Sequence, residues 1–241
     1  MNISELAENK INRFKTGYVF TYDDFDIPVN KTSALKKALS RLAESGKIVR
    51  LSKGRYYKPE EGITGFLKPD EYQIVKDLLE ENGRITGYLT GINTFNKLGL
   101  TTQLSNTIQI GTNNDKKPVK RGKYTIRFIR QKNKITRENI YLLQILDSIR
   151  FIKRIPDTDI NQSCERLKGI IRDLSDEKKD YLVKLAMKYN PATRALAGAI
   201  LEFIEGEAYA KGLYKSLRGS TNFRLNISAQ TLNNKNKWRF I

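Results

Sequence analysis

No histidine occurs among the 241 residues, and cysteine occurs once, as Cys164. The first absence excludes a Ser-His-Asp or Cys-His catalytic arrangement, histidine general-base chemistry and any histidine-containing zinc site. The second excludes an intrachain disulfide, a CxxC pair and a thiolate cluster, so Cys164 reads as a core thiol. No run of about 18 apolar residues is present, and Met1-Asn2-Ile3-Ser4-Glu5 lacks the basic-then-apolar profile of a secretory signal. A soluble, cytoplasmic protein without membrane association is therefore expected. A glycine-rich phosphate loop of the G-x-x-x-x-G-K type is also missing, and no cofactor is expected.

What the chain has in excess is positive charge. Forty-four Lys and Arg stand against 26 Asp and Glu, a net +18 at pH 7. The excess is spread: 12 basic against 8 acidic residues over 1–62, 15 against 8 over 63–150, and 17 against 10 over 151–241. Such a surface attracts polyanions, nucleic acid first among them. A membrane-surface helix would need the basic residues gathered opposite one broad apolar face, and they are not.

Residues 1–62 read as a DNA-binding domain. Ile3, Leu6, Ala7, Ile11 and Phe14 have helical spacing. Thr21-Tyr22-Asp23-Asp24 suits a short capped helix. A third helix over 31–45 carries Leu35, Ala38, Leu39 and Leu42 on one stripe, with Ser33, Lys36, Lys37, Ser40 and Arg41 opposite and Gly46 as its stop. Lys47–Leu51 and Arg55–Lys58 alternate as two strands around Ser52-Lys53-Gly54. Three helices and a basic hairpin are the order of a winged helix-turn-helix, in which the third helix enters the major groove and the wing lies on phosphates or the minor groove. The predicted DNA contacts are Ser33, Lys36, Lys37, Ser40, Arg41, Lys53 and Arg55. The plainer reading of the same stripe is a solvated helix face.

Residues 63–205 read as a mixed helical and short-sheet domain, which makes the whole chain α+β. Helices are expected from Pro69-Asp70 to Gly83, over 88–98 and from Thr136 through Ile149; strands over 107–111 and 124–128; and three helices between 153 and 205. Lys116 to Lys134 holds nine basic residues and no acidic one. Lys116, Lys117, Lys120, Arg121 and Lys123 are its candidates for a second basic surface that extends the DNA contact or serves another function of this domain; a solvated loop is the alternative. Residues 206–241 read as a C-terminal extension, with a strand-like alternation at 222–227 and a loosely ordered Asn/Lys-rich stretch before Trp238.

Catalytic fragments fail on spacing. Asp157-Thr158-Asp159 precedes Gly219-Ser220, the reverse of a nucleotidyltransferase signature. Pro156-Asp157 with Glu165 and Lys168 has one residue too many for a metal-dependent nuclease, and helical spacing does not bring them onto one cation. No catalytic or metal-binding residue is assigned.

The ordered set Lys53-Gly54-Arg55-Tyr56-Tyr57-Lys58-Pro59, Gly87-Tyr88-Leu89-Thr90-Gly91, Leu98-Gly99-Leu100-Thr101-Thr102-Gln103, Asn106-Thr107, Leu143-Gln144-Ile145-Leu146-Asp147, Ile152-Lys153-Arg154-Ile155-Pro156-Asp157 and Thr193-Arg194-Ala195-Leu196-Ala197-Gly198-Ala199 resembles the AbiEi-type antitoxins of abortive-infection systems. The resemblance spans roughly residues 20–205. It implies a winged helix that binds inverted repeats before its own operon and represses it, with an antitoxin domain that counters a nucleotidyltransferase-like toxin. Such systems are described as type IV, in which toxin and antitoxin need not touch. A stand-alone winged-helix regulator and a metal-dependent nuclease are the other readings the residues leave open.

Overall fold

A computed structural model describes residues 2–63 and 65–241. In chain order its elements are α1 (Ile3–Arg13), β1 (Val19–Phe20), α2 (Thr32–Glu44), β2 (Val49–Ser52), β3 (Arg55–Tyr57), β4 (Glu61–Gly62), β5 (Gly65–Phe66), α3 (Glu71–Leu79), β6 (Glu80–Glu81), β7 (Arg84–Ile85), β8 (Gly87–Thr90), α4 (Ile92–Lys97), β9 (Thr107–Thr112), β10 (Val119–Arg121), β11 (Tyr124–Arg130), α5 (Ile140–Arg150), α6 (Ile160–Arg172), α7 (Asp176–Ala186), α8 (Pro191–Glu205) and α9 (Glu207–Lys215). The architecture is α+β with small sheets of two to four strands. The chain folds into two compact units, Met1–Leu78 with Val119–Ile126, and Leu79–Pro118 with Arg127–Ile241. The first division thus falls at 78 rather than 62, and none falls at 205. A hairpin from the middle of the chain joins the first unit, and the C-terminal segment joins the core of the second.

In the first unit α1 begins at a capping box: the Asn2 side chain accepts from the Ser4 N–H at 3.3 Å, and Glu5 accepts from the Asn2 N–H at 3.2 Å. Ala7 and Ile11 of α1 pack with Leu35 and Leu39 of α2, Phe20, Phe25, Ile48 and Tyr56 in one core. Each large apolar side chain so buried contributes roughly 1.5–3 kcal/mol. Between β1 and α2 lie two 3-10 turns, Tyr22–Asp24 and Val29–Lys31, the first held by the Thr21 N–H bonding Asp24 at 2.7 Å. The sheet runs β1-β3-β2, with Phe20 opposite Tyr56 and Arg50 opposite Tyr56 on the other side. β10 and β11 form a hairpin pairing Arg121 with Tyr124, closed at Gly122. Gly122 has φ +56°, and a Cβ there would lie 2.4 Å from the Leu51 carbonyl oxygen, so only glycine lets this turn sit against β2.

In the second unit the helix expected over 88–98 is replaced by strand β8 and the short helix α4. Gly91, at φ +83°, separates them, and Tyr88 to Thr90 pair with Gly111 to Gln109 of β9. The helix expected to run to Gly83 stops at Leu79, because Asn82 and Gly83 are both left-handed and close the β6–β7 hairpin. Helices α5, α6, α7 and α8 surround a core that includes Leu143, Leu146, Cys164, Leu167, Leu182, Leu196 and Ile200. Residues 206–241 complete this core. Leu225, Ile227, Leu232, Trp238 and Phe240 are buried, and the Trp238 ring lies where a side chain at Gly198 would sit.

Candidate nucleic-acid interface

The exposed face of α2 carries the residues that the sequence pattern singled out. Ser33, Lys36, Lys37, Ser40 and Arg41 all face solvent, while Leu35, Ala38 and Leu39 face the core. Tyr22 ties this face to the β2–β3 turn. The Lys36 ammonium lies 5.4 Å from the centre of the Tyr22 ring, and the same ring lies against Gly54, 3.3 Å from where a Cβ would be. Tyr22 also meets the Tyr56 ring of β3 edge-on at 6.3 Å. Lys53, exposed at that turn, therefore belongs to one surface with Lys36. Sequence reading missed Tyr22, whose role depends on where α2 and the hairpin meet in space.

Two expected contacts are placed differently. Arg55 is not a free wing-tip charge: its guanidinium meets Asp77 of α3 at 2.6 Å. Arg121 is buried rather than part of a second basic surface. It donates to both Asp77 oxygens, at 2.6 and 2.7 Å, and to the Ile74 carbonyl at 2.6 Å. Burial would raise the Asp77 carboxyl, but hydrogen bonds and charges from the two arginines outweigh it and hold the group below the ordinary carboxylate range. Both corrections have one physical cause: α3 supplies a carboxylate that these guanidinium forks match.

Lys116, Lys117, Lys120 and Lys123 remain exposed. Lys123 lies against Lys68, which pulls its amine below the ordinary lysine range, chiefly by hydrogen bonding and then, after a small burial effect, by charge. In that hydrogen bond one amine must be neutral to accept from the other, and an approaching polyanion favours the charged form of both. Lys68 had no signal of its own in the sequence. Lys58, by contrast, is committed to structure, donating to the Asn12 and Phe14 carbonyls at the end of α1.

Several residues of the catalytic fragments have partners within the fold. Asp159 caps α6 by accepting from the Asn161 and Gln162 N–H groups at 2.7 and 2.9 Å. Lys168 is buried and bonds the Thr231 carbonyl at 2.8 Å and Glu165 at 2.7 Å. Burial pushes the Cys164 thiol up to about 12, which keeps it protonated and unreactive.

The second unit also holds a buried polar centre that sequence reading did not find. Asp147 of α5 accepts from the hydroxyls of Tyr88 at 2.7 Å, Thr90 at 3.0 Å and Tyr189 at 3.1 Å. The Gln131 amide donates to both phenol oxygens, at 2.9 and 2.8 Å, which leaves the two phenol protons for Asp147. Burial drives the Asp147 carboxyl upward, and these donors pull it back in part.

This α+β framework matches the model of the family of unknown function DUF6088 over residues 6–182, and the chain belongs to that family. No curated protein matches it. Among solved structures it is similar to the crystal structure of the RV2827C protein from Mycobacterium tuberculosis. Identity is 16% and the TM-score 0.55, with 91% of this chain and 81% of that one covered. At that identity the likeness concerns the fold alone.

Proposed function

We propose that this protein binds double-stranded DNA through α2 and the β2–β3 hairpin, a winged helix-turn-helix, and that it represses its own operon as an antitoxin of the AbiEi type. The observation that carries the DNA reading is the Lys36–Tyr22–Gly54 arrangement, which sets the basic face of α2 beside the turn bearing Lys53. An α-helix fits the major groove, and short polar and cationic side chains such as Ser40 and Arg41 match base edges, while lysines serve phosphates. The exposed Lys120, Lys123 and Lys68 extend the same kind of surface. The antitoxin role rests on the sequence resemblance, with a nucleotidyltransferase-like toxin as the functional partner and the operator's inverted repeats as the target.

The test is a fluorescence anisotropy titration of the duplex that precedes the gene. Wild-type protein is expected to bind it more tightly than scrambled duplex, with affinity falling as salt rises. The variant carrying Lys36→Ala, Lys37→Ala and Arg41→Ala is expected to lose that preference. Equal binding by the two proteins refutes the assignment. Expression of the chain beside the neighbouring toxin gene tests the antitoxin role, and absence of rescue, or of any such gene, removes it.

A further inference from the structure

The second unit carries a cationic cleft outside every role assigned so far. Two hollows of about 150 and 380 Å³ share Arg150 and Asn190 as lining residues. The smaller adds Arg130, Lys132 and Lys188, and the larger adds Lys153 and Arg154 together with an apolar wall that includes Phe151 and Leu225. No carboxylate lines either hollow among the described residues. Arg130 meets the exposed Asp115 at 3.2 Å, but Lys132, Arg150 and Lys188 have no ion-pair partner among the described residues.

The polar groups are built to donate. Arg150 is fixed by donating to the Arg130 carbonyl at 3.3 Å and by lying 5.0 Å from the centre of the Phe151 ring, so its fork is oriented rather than free. Asn190 accepts at its oxygen from the Thr193 N–H and hydroxyl, at 2.9 and 3.1 Å, which leaves its amide NH₂ as the remaining donor. It is also the N-cap of the 15-residue helix α8, whose positive end adds to the field. Tyr189 and Gln131, anchored on Asp147, line the smaller hollow and keep its wall rigid.

We propose that this cleft binds a small phosphorylated ligand of nucleotide size, with the phosphate at Lys132, Arg150 and Lys188 and the organic portion against Phe151 and Leu225. Guanidinium and ammonium groups in hollows that no carboxylate lines select a phosphate dianion, although the charge of Arg150 also reaches the buried Asp147 behind the wall. The larger hollow lies in the volume range of small-molecule pockets, and its apolar wall next to convergent donors suits a ring system better than a continuous backbone. This site is independent of the DNA surface on the first unit and splits the basic run of 116–134: its last part, Arg130 and Lys132, serves the cleft.

Calorimetric titration of the full chain with AMP, GMP, CMP and UMP tests it, with adenosine and inorganic phosphate as controls. At least one mononucleotide is expected to bind saturably, inorganic phosphate to compete with it, and adenosine not to bind. The Lys132→Gln, Lys188→Gln double variant, at two exposed positions, is expected to weaken binding at least tenfold while its thermal unfolding matches wild type. Arg150→Lys, which keeps the charge but loses the fork, is expected to weaken it as well. The proposal is overturned if no mononucleotide binds at millimolar concentration or if the double variant binds as wild type does. A single-stranded oligonucleotide that occupies the cleft and resists displacement by mononucleotides also overturns it.

Discussion

Replacing Asp77 should cost far more than replacing Arg121, although the two face each other. Arg121 is 5% exposed at its side chain and Asp77 is 44% exposed. Asp77→Ala leaves a buried guanidinium with the Ile74 carbonyl as its remaining acceptor, and an uncompensated buried charge costs about 3–5 kcal/mol. Exposure of the carboxylate and water entering its place reduce this to roughly 2–3 kcal/mol. Arg121→Met removes the buried charge itself, fills similar volume and leaves Asp77 to Arg55 and solvent, a loss of about 1 kcal/mol or less. Trp238 lies in the other unit, so hydrogen exchange of peptides from 1–78 and 119–126 is the appropriate assay. The carboxyl is depressed in the folded state, so its contribution is fully present above the unfolded-state pKa. It disappears as pH falls below about 4 and through the folded value. Equal destabilisation by the two variants at pH 7, or a deficit of Asp77→Ala against wild type that is undiminished at pH 2, would overturn this.

Other outcomes follow from the same geometry. Cys164 should resist iodoacetamide at pH 8 in the native protein and react at once in denaturant, since burial holds it protonated; rapid native labelling, read by mass spectrometry, would contradict its placement. Gly198→Leu should destabilise the second unit by about 1–3 kcal/mol or more, because the new side chain overlaps the Trp238 ring, and a blue-to-red shift of Trp238 fluorescence would report displacement of the ring. Asp147→Asn turns one acceptor into a donor facing hydroxyls already oriented by Gln131, which should cost about 1–3 kcal/mol; unchanged urea unfolding followed at Trp238 would show that the network is not constrained as described. Lys53→Ala should weaken binding to all duplexes alike and lower the salt slope by about one, whereas Arg41→Ala should reduce discrimination among sequences; reversed behaviour in anisotropy titrations would exchange their roles.

The first unit was largely legible because its signals are local. Helical spacing in α1 and α2, the Thr21 cap and the Lys53-Gly54 turn each lie within a few residues, and the structure follows them. What escaped was set by partners distant in sequence. Leu89, Ile92 and Phe95 have helical spacing, yet Gly87–Thr90 is a strand because β9 pairs with it. Arg121 is one of nine basic residues in its run, and only the position of Asp77, 44 residues earlier, distinguishes it. The alternation at 222–227 yields no strand but a single bridge from Phe223 to Phe240, the chain beyond α9 is mostly irregular, and Trp238 is buried by the space left at Gly198. Asn82-Gly83 was a readable hairpin signal that the preceding helical pattern masked. The cleft around Arg150 draws on β11, α5 and the start of α8, segments that no linear motif connects.

The burial of Cys164 makes a direct test of the DNA assignment available, because a cysteine introduced at exposed Lys37 is then the one reactive thiol. An iron-chelate cleavage reagent tethered at Lys37→Cys on α2 and, separately, at Lys211→Cys on α9 reports which element approaches the duplex. Strand scission is expected from position 37 at a few adjacent base pairs, in the offset pattern of major-groove cleavage, and none from position 211. Scission from position 211 alone, or diffuse scission from both, would contradict it.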